Sequence, residues 1–189
     1  EMRDGRTGRL VIATSPTLVH AFLPRAIALF RSRSPAVHVS IQSLPTPLVV
    51  ERVARREVDM GIVYAPVADP GVDAEELVVT EIACVVRKKH SLARKRHISA
   101  EDLGGESVIS LGATTRLGML IEDECRKAGV PIPDVAIEAS SSLAACLLVS
   151  EGAGIALVDR STSLSGKFGD LAFRSFRPRI RVTVQLIYP

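Results

Sequence analysis

Residues 8–64, GRLVIATSPTLVHAFLPRAIALFRSRSPAVHVSIQSLPTPLVVERVARREVDMGIVY, switch back and forth between two hydrophobic periods. Leu10, Val11 and Ile12 form a short apolar run that stops at Ala13-Thr14-Ser15-Pro16-Thr17. Polar groups and a proline there predict a strand-to-helix turn. Val19, Phe22, Leu23, Ala26, Ile27 and Phe30 then recur at helical spacing, which predicts an amphipathic helix with this stripe buried. Pro24 falls inside the stripe, so the helix is kinked there or starts late. Ser34-Pro35 ends it. Val37, Val39 and Ile41 alternate with polar neighbours, a second strand. Thr46-Pro47 has the form of an N-cap followed by a first-turn proline, and Val49, Val50, Val53 and Ala54 supply the buried face of the next helix. Asp59–Tyr64 is a third strand. The resulting β-α-β-α-β order predicts an α/β fold with a mostly parallel sheet covered by helices.

Beyond residue 64 the alternation stops and restarts. Residues 77–87, LVVTEIACVVR, predict a long apolar strand, and the basic run Arg87 to His97 a solvated connecting loop. Ser99-Ala100-Glu101-Asp102 resembles a capping box opening a short helix. A strand over 107–111, a helix over 114–128 stopped by Gly129 and Pro131, a strand over 135–139, a helix from about Ser141 and a strand over 155–158 follow. Gly152-Ala153-Gly154 makes the turn from the last helix into that strand, and a final strand runs from Arg181 to Tyr188. The pattern therefore contains two Rossmann-like units. Residues 8–83 with 178–189 make the first lobe, residues 84–177 the second, and residues 1–7 a linker.

Composition removes several classes of function. With 47% hydrophobic and 24% charged residues, 189 residues suffice for a folded core. A net charge of +3 spread along the chain, and 4% aromatics without Trp, give neither a concentrated phosphate-binding patch nor a base-stacking surface. Cys84, Cys125 and Cys146 lie far apart among apolar neighbours, so they are expected to be free, buried core groups in a protein of the reducing cytoplasm. No apolar run is long enough for a membrane span. Neither a GxSxG elbow, an HExxH pair nor a P-loop occurs, and His20, His38, His90 and His97 lack ligand-like spacing. No metal, no cofactor and no enzymatic activity are expected.

A binding function is favoured instead. In α/β units ligands bind beyond the carboxyl ends of parallel strands, where helix N-termini present free N–H donors. Those ends here carry Thr14, Ser15 and Thr17; Ser43 and Thr46; Ser110, Thr114 and Thr115; and Ser140, Ser141 and Ser142. Hydroxyls and amides together suit a small anion such as a carboxylate. Each of them could equally be a helix cap. Asp159, directly after a strand, could pair with a ligand amino group or cap the segment from Arg160.

Several of these segments, in this order, resemble the effector-binding domain of LysR-type transcriptional regulators. The resemblance rests on Gly8–Ala13, Phe22-Leu23-Pro24, Phe30 and Pro35, on Val53–Ile62, on His90-Ser91-Leu92-Ala93, on Asp102-Leu103 and on Val149–Val158. It covers residues 8–189 and departs from the family pattern at Glu57, Ser91 and Asp159, where glycine nearby, proline and proline are usual. It implies a type II periplasmic-binding-protein-like fold, two lobes joined by crossing strands, with a small carboxylate or amino-acid-like effector in the interlobe cleft. It implies effector contacts from Ser15, Pro16 and Thr17, from Pro45 and Thr46, and from Leu111, Gly112 and Ala113, to which the strand-end pattern adds Ser141 and Asp159. It also implies a homodimer or tetramer, and DNA contacts only through an N-terminal helix-turn-helix outside these residues. Residues 105–159 look closest to members that respond to amino acids or opine-like compounds. A solute-binding protein of the same fold is the alternative.

Overall fold

A computed structural model describes residues 8–131, 134–166 and 168–189; the linker expected at residues 1–7 lies outside the described residues. The elements run β1 (Gly8–Thr14), α1 (Leu23–Arg33), β2 (Val37–Ser43), α2 (Thr46–Ala54), β3 (Met60–Tyr64), β4 (Asp73–Arg87), β5 (His97–Ser99), β6 (Val108–Ser110), α3 (Arg116–Lys127), β7 (Val135–Glu138), α4 (Ser142–Ser150), β8 (Ile155–Asp159), β9 (Leu171–Arg177) and β10 (Arg181–Tyr188). Among the described residues four short 3-10 turns lie between them. The chain forms two compact units, residues up to Val78 with Thr183–Pro189, and Val79–Val182. Both boundaries fall inside continuous strands, β4 and β10. The sequence pattern put them near residues 84 and 177, because an unbroken apolar strand carries no mark of where it passes from one unit to the next.

In the first unit β1 pairs with β2 over its whole length, from Gly8 opposite Val37 to Thr14 opposite Ser43. β3 joins the other side of β1 in parallel, and β10 runs antiparallel to β3. Ala13, Val49, Val53, Val58, Val63 and Ile187 form a core cluster between sheet and α2. A Cβ on Gly61 would come within 2.7 Å of Ile187 and 2.8 Å of Val49, so glycine is what lets α2 and β10 close over β3. α1 departs from expectation. Pro24 sits in its first turn, where a missing N–H is harmless, and the residues before it make a separate 3-10 turn at Leu18–His20. Only Leu23 of the predicted stripe on α1 is buried, while Ala26 and Phe30 are exposed.

The second unit has a mixed sheet, not a mostly parallel one. β8 and β7 flank β6 in parallel, whereas β4 pairs antiparallel with both β8 and β9. β9 and the three-residue β5 were not predicted; β5 runs parallel to β9. The basic stretch is also more ordered than a solvated loop. Leu92 and Ala93 are buried in a 3-10 turn at Ser91–Arg94, and the His90 ring nitrogen accepts a hydrogen bond from Leu92 N–H. The predicted capping box is half formed, with Asp102 accepting from Ser99 N–H in front of a 3-10 turn. All three cysteines are free and buried, and burial pushes the Cys84 and Cys146 thiols up to about 12. No helix among the described residues is long and apolar enough to cross a membrane.

Candidate functional site

Parallel pairing sets β1, β2 and β3 with their carboxyl ends on one edge of the first unit. In-register pairing puts Thr14 beside Ser43, so the residues that follow each strand meet. Leu44 N–H donates to Thr14 O at 3.0 Å, and Ser15 N–H to Ile62 O at 3.2 Å, which fixes both turns to the sheet. Ser15 and Thr46, 31 positions apart, share a hydrogen bond of 2.9 Å between their hydroxyls. Thr14, Ser15 and Thr17 are buried, Pro16 and Thr46 half-buried, and Pro45 exposed.

Thr46 is not the N-cap that its sequence position predicts. Pro45 holds that position, with extended backbone, and Thr46 is the first residue of α2; its side chain makes no capping bond. Pro47 then takes the second helical position. As the second residue of α2 the proline costs the helix no bond, and the Thr46 hydroxyl, one place inside the helix, pairs with Ser15 instead of capping. Pro45 O accepts from Leu48 and Val49 N–H, which leaves Thr46 N–H without an acceptor among the described residues. One of the two hydroxyl protons is used inside the Ser15–Thr46 pair. The other, with the Thr46 amide and the positive end of the helix, can be directed at an oxygen anion.

In the second unit β6, β7 and β8 likewise end on one edge. Ser110 Oγ accepts from Gly112 N–H at 2.9 Å, and Thr115 N–H donates to Gly112 O, closing a turn over Gly112–Thr115. Leu111 and Gly112 are buried, Ala113 exposed. Thr115 and Ser141 are true caps: they accept from Gly118 N–H and Ala144 N–H at 3.0 and 3.2 Å. For Ser141 the cap fully accounts for the side-chain oxygen's position. Asp159 is buried and caps the 3-10 turn after β8. It accepts from Ser161 N–H at 2.9 Å, from Ser161 Oγ at 2.8 Å and from Thr80 Oγ1 at 3.1 Å. Its bonds from Ser161 make it a cap, and Thr80 adds a contact from β4.

Two residues escaped the sequence pattern. Gly118 packs its Cα against the turn so closely that a Cβ would lie 1.9 Å from Gly112 O, so α3 reaches this edge only because position 118 is glycine. Glu138 ends β7 directly opposite Ser110. A charged residue closing a strand, just before the serine run Ser140-Ser141-Ser142, was the available signal. Neither unit collects a metal-binding group of His, Cys, Asp or Glu among the described residues. A cavity of about 430 Å³ runs along α2 between Pro47, Val50, Arg55 and the segment at Pro66–Asp69. None of the expected contact residues lines it.

Residues 3–189 match the family described as the LysR substrate binding domain. The chain belongs to this family. The transcriptional activator protein LysR of Escherichia coli is 30% identical over 188 residues, which are 100% of this chain and 60% of that protein. The octopine catabolism/uptake operon regulatory protein OccR of Rhizobium meliloti is 32% identical over 169 residues, 89% of this chain and 55% of that protein. The chain thus spans less than two thirds of the length of these regulators. Among solved structures, the cofactor-binding domain of the Cbl transcriptional regulator superposes with a TM-score of 0.85 at 23% identity, covering 100% of this chain and 83% of that one. The two-unit α/β arrangement is accordingly the type II periplasmic-binding-protein-like fold of LysR substrate binding domains.

Proposed function

We propose that this LysR substrate binding domain is the sensor of a transcriptional regulator and holds a small carboxylate or amino-acid-like effector at the polar strand ends of its units. The observation that carries this reading is the Ser15–Thr46 hydroxyl pair at the start of α2, beside the Thr46 amide, which has no acceptor among the described residues. Hydroxyl and amide donors at the positive end of a helix form a neutral anion hole, without a nucleophile or general base to attack what it holds. Ser15, Pro16, Thr17, Pro45 and Thr46 make the effector's anion site, and Leu111, Gly112 and Ala113 supply the second unit's contacts. Ser141 and Asp159 support the second unit's contacts through their caps.

The regulator works in the cytoplasm, as a homodimer or tetramer, and touches DNA through an N-terminal helix-turn-helix. Effector binding acts by favouring one arrangement of the lobes, and can do so only through unequal affinity for the two. Self-association is supported by Leu29 and Phe30 of α1 and Ile41 of β2, apolar side chains left exposed among the described residues. The name of the OccR relative supports the amino-acid or opine class of effector.

Thermal denaturation against a panel of amino acids, opines and small carboxylates tests the proposal. A binder at a hundred times its dissociation constant stabilises the fold by about 2.7 kcal/mol. Ser15→Ala and Thr46→Ala should each cut that response, by roughly tenfold in affinity. A binder that both variants hold as tightly as the unaltered chain would remove the site from this edge.

A further inference from the structure

Glu138 is a charged group at the second unit's strand ends that neither the caps nor the ion pairs use. Most of the other acidic side chains of this unit have a partner: Asp102 has Lys95, Asp123 has Arg126, Glu124 has Lys127, and Glu81 has Arg179. Among the described residues Glu138 has no hydrogen bond and no ion pair. Its carboxylate nevertheless does not simply extend into water. Gly112, at φ +74°, leaves an open face on which that carboxylate lies. The position of a Cβ on Gly112 would be 3.3 Å from Glu138 Oε2 and 4.0 Å from Thr114 Oγ1. Any side chain at 112 would both strain the turn and push the carboxylate away.

The same turn presents the opposite polarity. Gly112 N–H is taken by Ser110 Oγ and Thr115 N–H by Gly112 O, whereas Ala113 and Thr114 N–H have no acceptor among the described residues. α3 begins two residues later, with its positive end at this turn. Within a few ångströms the turn therefore offers amide donors for a carboxylate, and a carboxylate with a hydroxyl as acceptors for a cation. An acid with no positive group would meet Glu138 as a like charge without compensation. A zwitterion satisfies both.

We infer that Glu138 is the specificity-determining residue of the effector site, selecting amino acids over other small acids by pairing with the ligand ammonium group, with Thr114 Oγ1 as second acceptor. This rests on the proposal that these strand ends hold the effector. The role is one of charge and hydrogen bonding at an exposed position, so the substitutions that test it leave the core untouched.

The test is calorimetric titration of the chain with matched acids: each of L-alanine, L-aspartate, L-phenylalanine and L-arginine against its 2-hydroxy counterpart. At least one amino acid should bind roughly tenfold or more tightly than its hydroxy partner, as expected for a charge-assisted hydrogen bond. Glu138→Gln should abolish that preference while leaving the hydroxy acid's affinity unchanged or improved, and Glu138→Asp should restore part of it. An amino preference that survives in Glu138→Gln, or hydroxy acids bound as tightly as amino acids by the unaltered chain, overturns the inference alone. Thr46→Ala, titrated in parallel, should weaken both members of a pair equally; if it weakens neither while Glu138→Gln acts, the anion site at α2 fails and this inference stands. If no member of either series binds, both fail.

Discussion

A methyl group at position 118 would sit 1.9 Å from the carbonyl oxygen of Gly112 and 2.7 Å from its carbon, both backbone atoms that no rotamer change can move. Gly118→Ala should therefore cost about 2–4 kcal/mol, at the upper end for a small-to-large change. The displaced part would be the 111–115 turn, so ligand response should fall further than stability alone explains. Denaturant unfolding with and without ligand separates the two effects, and a Gly118→Ala chain of undiminished stability would show the close approach to be relaxed in solution. None of this is legible in the sequence, where Gly118 is merely a poor helix former inside a helix. The hydroxyls at strand ends were legible, because strand, turn and helix signals place them. What each one does was not. Ser141 and Thr115 cap and Thr46 does not, although all three stand at helix starts. The difference lies in a helix that starts one residue earlier and in a partner 31 positions away.

At the scale of elements, strands with steady alternation and helices with firm stops were found within a residue or two. Those whose burial depends on neighbours were not. β5 has three residues, and β9, LAFRSFR, mixes buried and polar positions without a clean period. The exposed stripe on α1 has the same cause: periodicity says that a face is apolar, not what covers it. β4 also carries an electrostatic junction that sequence distance hides. Glu81 hydrogen-bonds Arg179 at 2.9 Å, and Arg160 lies 3.2 Å away. Burial pushes the Glu81 carboxyl up, but the Arg179 hydrogen bond and the charges of both arginines outweigh it and hold the group below its ordinary value of 4.5. The pair thus adds stability that is complete above that value and lost as pH falls through the lowered one. Glu81→Gln should lower stability by on the order of 1 kcal/mol at neutral pH, with the gap to the unaltered chain closing in acid. Urea unfolding at a series of pH values measures this; a gap that stays constant down to pH 3 would contradict it.

For the whole molecule, two α/β units were legible because each repeats the β-α-β signal, and their boundaries were not, because β4 and β10 run through them. Family membership makes this a LysR substrate binding domain, and the proposed contacts rest on the strand-end geometry of each unit. The cavity along α2 against Pro66–Asp69 competes with that assignment, since it shares no residue with the proposed contacts. The most direct measurement is amide chemical-shift mapping of the chain titrated with the tightest binder from the panel of amino acids, opines and carboxylates. Saturable shifts centred on Ser15, Thr17 and Thr46 and on Leu111–Thr114 are expected, with the ligand recovered unchanged. Shifts confined to Val50, Arg55 and Val67–Asp69, with the strand ends silent, would contradict the proposed contacts.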